Sequence, residues 1–185
     1  MLSKRLKKEA AEAAAQNEAD PTIQLYCCPT NIHRYKWQTN HYAKYYINSL
    51  LLRMLGLIIH IICYNSWFAV IKAPEGSYYE GYSFKLSIDV GTDYPLTPPV
   101  FKLKTKIFHP NVLMDSGEIC LDILKKEWSP AWSIQSACRA IIALLSDPAP
   151  DSPLNCDAGN MLRENDKIGF ASVVKMYCVE FCVEA

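Results

Sequence analysis

Residues 82–90, YSFKLSIDV, alternate Tyr82, Phe84, Leu86, Ile88 and Val90 with polar or small residues. Successive side chains of an extended chain point to opposite faces, so a period of two describes a strand with one buried and one wet face. Working outward, Trp67–Ile71 and Val100–Leu103 have the same strand character. They are set apart by APEGS (Ala73–Ser77) and DYPLTPP (Asp93–Pro99), both rich in turn formers. Short strands with brief connections predict an antiparallel meander.

Further on the period changes. Ile134, Ala137, Cys138, Ile141, Leu144 and Leu145 recur at helical spacing, Ser133 stands at the N-cap position, and Asp147-Pro148 ends the pattern. From Asp157 onward, Met161, Leu162, Ile168, Phe170, Val173, Val174, Tyr177 and Phe181 predict one or two more helices. At the other end, residues 3–16 (SKRLKKEAAEAAAQ) are strong helix formers with Ser3 as a candidate N-cap and Pro21 as a later stop. The basic face of that helix reads equally well as a solvated face. The fold class is α+β, with helices on one face or end of an antiparallel sheet.

At 185 residues the chain has room for one domain with a real core, and its half-hydrophobic, 21% charged composition is that of a globular protein. Nineteen basic residues balance nineteen acidic ones, so no long-range field recruits nucleic acid or an anionic membrane. The opening MLSKRLKKEAAEAAA lacks the apolar run of a secretory signal, and a reducing compartment is expected. The eight cysteines then count as thiols. Their spacings lack the paired geometry of a zinc site, so no metal is expected.

One segment reads differently. Residues 38–66 (QTNHYAKYYINSLLLRMLGLIIHIICYNS) carry only Lys44 and Arg53 as formal charges, and no Asp or Glu occurs between Pro21 and Pro74. Ser49–Tyr64 is apolar enough to suggest a membrane helix, but it is shorter than the roughly 20 residues a span needs and is interrupted by Arg53 and His60. The segment is bracketed by Trp37 in RYKW and Trp67 in SWFAVIKAP, and removing it together with one of the two tryptophans gives the continuous strand YKWFAVIKAP. The expectation is a single domain over 1–185 interrupted at about 38–66 by translated intron sequence.

The chemistry concentrates between Phe108 and Asn155. Cys120, in the apolar run Ile119-Cys120-Leu121, taken by itself reads as an inert buried thiol. Its context changes that reading. The fragments YYEGYSFKLSIDV, DYPLTPP, KIFHPNV, GEICLDIL, WSPAWS and DPAPDSPLN follow one another in an order and with gaps that resemble the ubiquitin-conjugating enzymes over roughly residues 67–182. The resemblance implies the UBC fold: an N-terminal helix, a four-stranded antiparallel meander, an active-site loop, a long central helix and C-terminal helices.

It also implies a role for Cys120. This thiol would accept the C-terminal glycine of ubiquitin from an activating enzyme, hold it as a thioester and lose it to an acceptor amine or thiol, so the site must stabilise an oxyanion. Asn111 of the HPN motif is the candidate donor, with bracing of the loop as the alternative role. His109 is implied to be a structural hydrogen-bonding residue rather than the base of a Cys-His protease. Pro110, Leu121, Asp151 and Ser152 are implied to support the site. Where family members often place an acid near the acceptor amine, this chain has Ser152, with Asp151 just before it. The loop from His109 to Cys120 is one residue longer than the commonest family spacing, with Leu113 and Met114 where polar residues are frequent.

Leu96, Pro130, Ala131 and Arg5 match the surface that usually meets RING-type ligases, and Trp128 and Trp132 read as packing residues bordering the site. No cofactor is implied, since ATP is consumed by the upstream activating enzyme. GEICLDIL, WSPAWS and DSPLNCDAGNMLR look like the peroxisomal, peroxin-type branch of fungi. That branch modifies the receptor that imports matrix proteins, on the cytosolic face of the peroxisomal membrane, with a membrane-anchored co-activator. The competing readings are a non-catalytic ubiquitin-binding variant, against which Cys120 and Asn111 speak, and a membrane-anchored conjugating enzyme of another pathway.

Overall fold

The computed structural model describes residues 4–27 and 66–184. The chain runs α1 (Lys4–Ala19), β1 (Ile23–Cys27), β2 (Ser66–Lys72), β3 (Tyr82–Asp89), β4 (Val100–Leu103), a 3-10 turn (Asp122–Leu124), α2 (Ile134–Ser146), α3 (Cys156–Arg163), α4 (Lys167–Phe181) and β5 (Val183–Glu184). The α+β reading and the meander hold: β1, β2, β3 and β4 lie side by side in chain order, each antiparallel to the next. β5 adds a short fifth strand on Tyr82 and Ser83, which the sequence reading did not foresee. Two residues carry too little pattern to announce a strand.

β3 is the axis of the sheet. Its register sets Ile88 opposite Trp67 and Leu86 opposite Ala69 on one side, and Ile88 opposite Phe101 and Leu86 opposite Leu103 on the other. These residues, with Phe84, Ile71, Ile23 and Leu25, are all buried. The inner face is covered by Ile134, Ala137, Cys138, Ile141 and Leu145 of α2 and by Leu6 and Ala13 of α1. Each such aliphatic or aromatic side chain contributes about 1.5–3 kcal/mol on burial, which is what flattens the two helices onto the sheet. Ser87 departs from the alternation, being buried on the outer face. Its cross-strand neighbours there are Phe68 and Lys102, whose larger side chains flank a small one.

Ser133 caps α2 as its position predicted: its side chain accepts from the Ser136 N–H at 3.1 Å, and Ser136 Oγ accepts the Ser133 N–H in return at 2.8 Å. The helix begins where those donors are satisfied. The apolar tail resolves into two helices rather than one. Phe170, Val174 and Cys178 of α4 are buried, while Ile168, counted in its apolar pattern, is 83% exposed.

β1 and β2 pair from Ile23–Ile71 to Cys27–Trp67, so the chain leaves β1 and re-enters β2 at the same end of the sheet. Apart from Ser66, which opens β2, the expected interruption at 38–66 and the membrane-span alternative at Ser49–Tyr64 lie outside the described residues. Among the described residues no helix is long and apolar enough to cross a membrane.

Candidate active site

The site is built on the turn His109-Pro110-Asn111, buried throughout. His109 Nε2 donates to the Leu144 carbonyl at 3.1 Å, and Nδ1 accepts the Asn111 backbone N–H at 2.9 Å. A carbonyl can only accept, so the proton sits on Nε2 and the ring is neutral. Burial pushes its pKa down to about 4, the Leu144 contact opposing this only in part. Tyr79 supports the turn from the other side, its hydroxyl donating to the Phe108 carbonyl at 2.7 Å and its ring lying 5.7 Å from that of His109. With both nitrogens engaged by backbone, His109 is a tie between the turn and the end of α2.

Pro110 and Asn111 make the next ties. The Pro110 carbonyl accepts the N–H groups of Leu154 (2.7 Å) and Asn155 (3.0 Å). The Asn111 amide makes a reciprocal pair with Ala149, its Oδ1 accepting at 2.9 Å and its Nδ2 donating at 2.7 Å. The loop after α2 is thereby pinned at Ala149 and again at Leu154–Asn155, and exposed Asp151 and Ser152 lie between the pins. Pro153 rests on α3 where a Cβ on Gly159 would come within 2.7 Å, and Asn155 caps that helix through Ala158. The hydrogen bonds of Asn111 perform the bracing role. An amide nitrogen carries two hydrogens, and the pair with Ala149 uses one.

Cys120 arrives beside this turn on a hairpin. Its N–H donates to the Asn111 carbonyl at 2.8 Å, the Leu113 N–H to Glu118 at 2.9 Å, and the Gly117 N–H to Leu113 at 2.8 Å, closing the chain back on itself. Gly117 sits at φ +70°, and a Cβ there would lie 1.8 Å from the Leu103 carbonyl oxygen, so only glycine lets the hairpin press against β4. Ile119 turns inward and is buried, whereas Cys120 and Leu121 are half-exposed at the edge. Met114, at the hairpin tip, accepts the Tyr177 hydroxyl on its sulfur at 3.3 Å, so the tip is docked on α4.

A second surface lies beyond the far end of β3. Leu96 is 77% exposed, and Pro130 and Ala131 are exposed. Their loops are joined by Trp128, whose indole donates to the Pro95 carbonyl at 2.9 Å while its ring packs near Tyr94. Arg5 is half-buried, with its guanidinium turned to the Glu9 carboxylate and the Trp132 carbonyl. Glu9, which the sequence reading passed over, is buried. Its place between Leu6 and Ala13, three and four residues away on the buried face of α1, was the available signal.

Comparison with known proteins agrees with this geometry. Residues 55–178 match the family model described as ubiquitin-conjugating enzyme. Protein PEROXIN-4 of Arabidopsis thaliana is 47% identical over 173 residues, covering 94% of this chain and 90% of the relative. The ubiquitin-conjugating enzyme E2 pex4 of Dictyostelium discoideum is 56% identical over 111 residues, covering 60% of this chain and 74% of the relative. Among solved structures, the H. polymorpha ubiquitin-conjugating enzyme Pex4p, crystallised with the soluble domain of Pex22p, superimposes with a TM-score of 0.75 at 31% identity, covering 97% of each chain. A meander sheet backed by a capped helix, a half-exposed cysteine locked beside an HPN turn, and these matches have one meaning: the chain belongs to the ubiquitin-conjugating enzyme family.

Proposed function

We propose that this enzyme carries ubiquitin as a thioester on Cys120 and, with a RING-type ligase, passes it to the receptor that imports peroxisomal matrix proteins. The observation that carries the reading is the fixed relation of Cys120 to the HPN turn: a half-exposed cysteine held by its own backbone N–H against Asn111, beside a turn that is itself buried. In loading, the Cys120 thiolate attacks the thioester carbonyl of the charged activating enzyme, whose thiolate leaves. In discharge, the acceptor attacks the same carbonyl and the Cys120 thiolate leaves. Each step passes through an oxyanion, and the Asn111 Nδ2 hydrogen not used by Ala149 is the donor proposed for it.

The acceptor proposed is a cysteine thiol. Ser152 stands exposed where an acid would orient a lysine, and a serine cannot hold an ammonium by charge; Asp151 precedes it by one residue, and adjacent side chains point differently. A thiol, with a pKa near 8.5 against about 10.4 for lysine, reaches its nucleophilic form without that help. The likeness to peroxin-4 and to a Pex4p crystallised with the soluble domain of Pex22p supports a peripheral position on the cytosolic face of the peroxisomal membrane, held by a membrane-anchored co-activator.

The deciding experiment mixes the chain with activating enzyme, ATP and ubiquitin and resolves the products without reductant. A reducible adduct lost in Cys120→Ala and kept in Cys156→Ala is expected. An adduct that survives Cys120→Ala refutes the assignment.

A further inference from the structure

The Glu9 carboxylate is 5% exposed and gathers donors from three separate stretches of chain. Oε1 accepts from the Arg5 guanidinium and from the Tyr94 hydroxyl at 2.6 Å, and Oε2 accepts the Ile134 backbone N–H at 3.0 Å. Tyr94 lies two residues before Leu96. Ile134 opens α2, three residues after Ala131, and its N–H is one of the donors that a helix start leaves unpaired. Arg5, turned by the bond of its Nε to Glu9, donates from Nη2 to the Trp132 carbonyl at 3.1 Å. Trp128 closes the other side of the ring by donating to Pro95 at 2.9 Å. Leu96 and Pro130–Ala131 are thus the free tips of two segments whose bases meet on one buried carboxylate.

We propose that Glu9 is a positioning residue that sets the spacing between Leu96 and Pro130–Ala131 and so pre-forms the ligase-docking surface. The inference rests on the reading of those three residues as ligase contacts. The chemistry explains why an acid stands at a buried helix position. An apolar side chain would leave the Tyr94 hydroxyl and the Ile134 N–H without an acceptor, whereas the two oxygens of Glu9 accept from all three donors at once. A surface assembled before the ligase arrives loses less entropy on docking than one ordered by it.

Two variants test this without removing the anchor's bulk. Glu9→Gln replaces one acceptor oxygen with an NH2 group facing a donor, and Tyr94→Phe deletes a single hydroxyl on the loop that carries Leu96. Each preloaded enzyme is discharged with and without a RING domain that accelerates the wild type, and the Trp128 indole N–H and Leu96 methyl resonances are followed by NMR. The expected result is displaced or broadened resonances and a half-saturating RING concentration raised about tenfold, with unstimulated discharge within about twofold of wild type. Unchanged resonances, or unstimulated discharge falling as far as the stimulated rate, overturn the proposal. Displaced loops with unaltered RING dependence, or RING acceleration that survives Leu96→Glu, remove the ligase reading itself and the inference with it.

Discussion

The N–H of Cys120 donates to the carbonyl of Asn111 at 2.8 Å, so the thiol and the amide side chain issue from adjoining strands of one hairpin. The same Asn111 grips Ala149 in both directions, so its side chain, together with the Pro110 carbonyl, references the loop bearing Asp151 and Ser152 to Cys120.

Asn111→Ala is therefore expected to show two separable losses. Removing the two hydrogen bonds to Ala149, each worth about 0.5–1.5 kcal/mol net, lowers the unfolding free energy, measured by urea titration. Loss of an oxyanion donor slows discharge of preloaded thioester by roughly 100-fold or more. A stability loss with discharge untouched would leave Asn111 as a brace alone.

Gly117→Ala places a methyl group 1.8 Å from a backbone oxygen at a positive φ, where no flexible side chain can give way. The backbone conformation alone costs about 1 kcal/mol, and displacement of the hairpin adds to it. Stability should fall by at least about 2 kcal/mol, with thioester formation at Cys120 reduced in parallel. Near-native loading would show that the hairpin does not set the nucleophile's position.

His109 predicts a pH response of definite sign. Its folded-state pKa is about 4 against an ordinary 6.5, so the unfolded chain takes up the proton first. The stability it contributes is complete above pH 6.5 and is lost as pH falls from there toward 4, by about 2 kcal/mol at pH 5. Denaturant melts at pH 7 and pH 5 measure the difference, and His109→Gln should reduce that slope while lowering stability at both values.

Ser152→Asp places an acid at the position where family members often have one, next to Asp151. Transfer to a lysine peptide is expected to rise severalfold, while transfer to a cysteine peptide changes little, because only the amine needs help losing a proton. A wild-type enzyme that already prefers the lysine peptide would refute the thiol-acceptor reading.

For the apolar segment at about 38–66, the mature transcript is expected to keep a single tryptophan codon from Trp37 and Trp67 at the junction, giving YKWFAVIKAP. Transcript sequencing that retains the segment, or a peptide from it detected by mass spectrometry, would show that it belongs to the protein.

The strand at 82–90, the span and cap of α2 and the helical character of the tail were legible because each is written in local periodicity, where burial on one face dictates which positions are apolar. The order of the motifs around Cys120 was likewise enough to name the family. What stayed hidden depends on partners distant in sequence. Nothing beside Glu9 announces Tyr94 or Ile134, nothing beside Asn111 announces Ala149, and β5 is too short to have a pattern. A hydrogen bond between residues 38 or 125 positions apart leaves no periodic trace, since its donor and acceptor are common groups made specific only by burial. The chain by itself determined which elements form and which thiol is the candidate nucleophile. Only the folded structure decided which polar groups meet out of water, and there an unpaired group is costly enough to fix the geometry of both the Cys120 hairpin and the Leu96 loop.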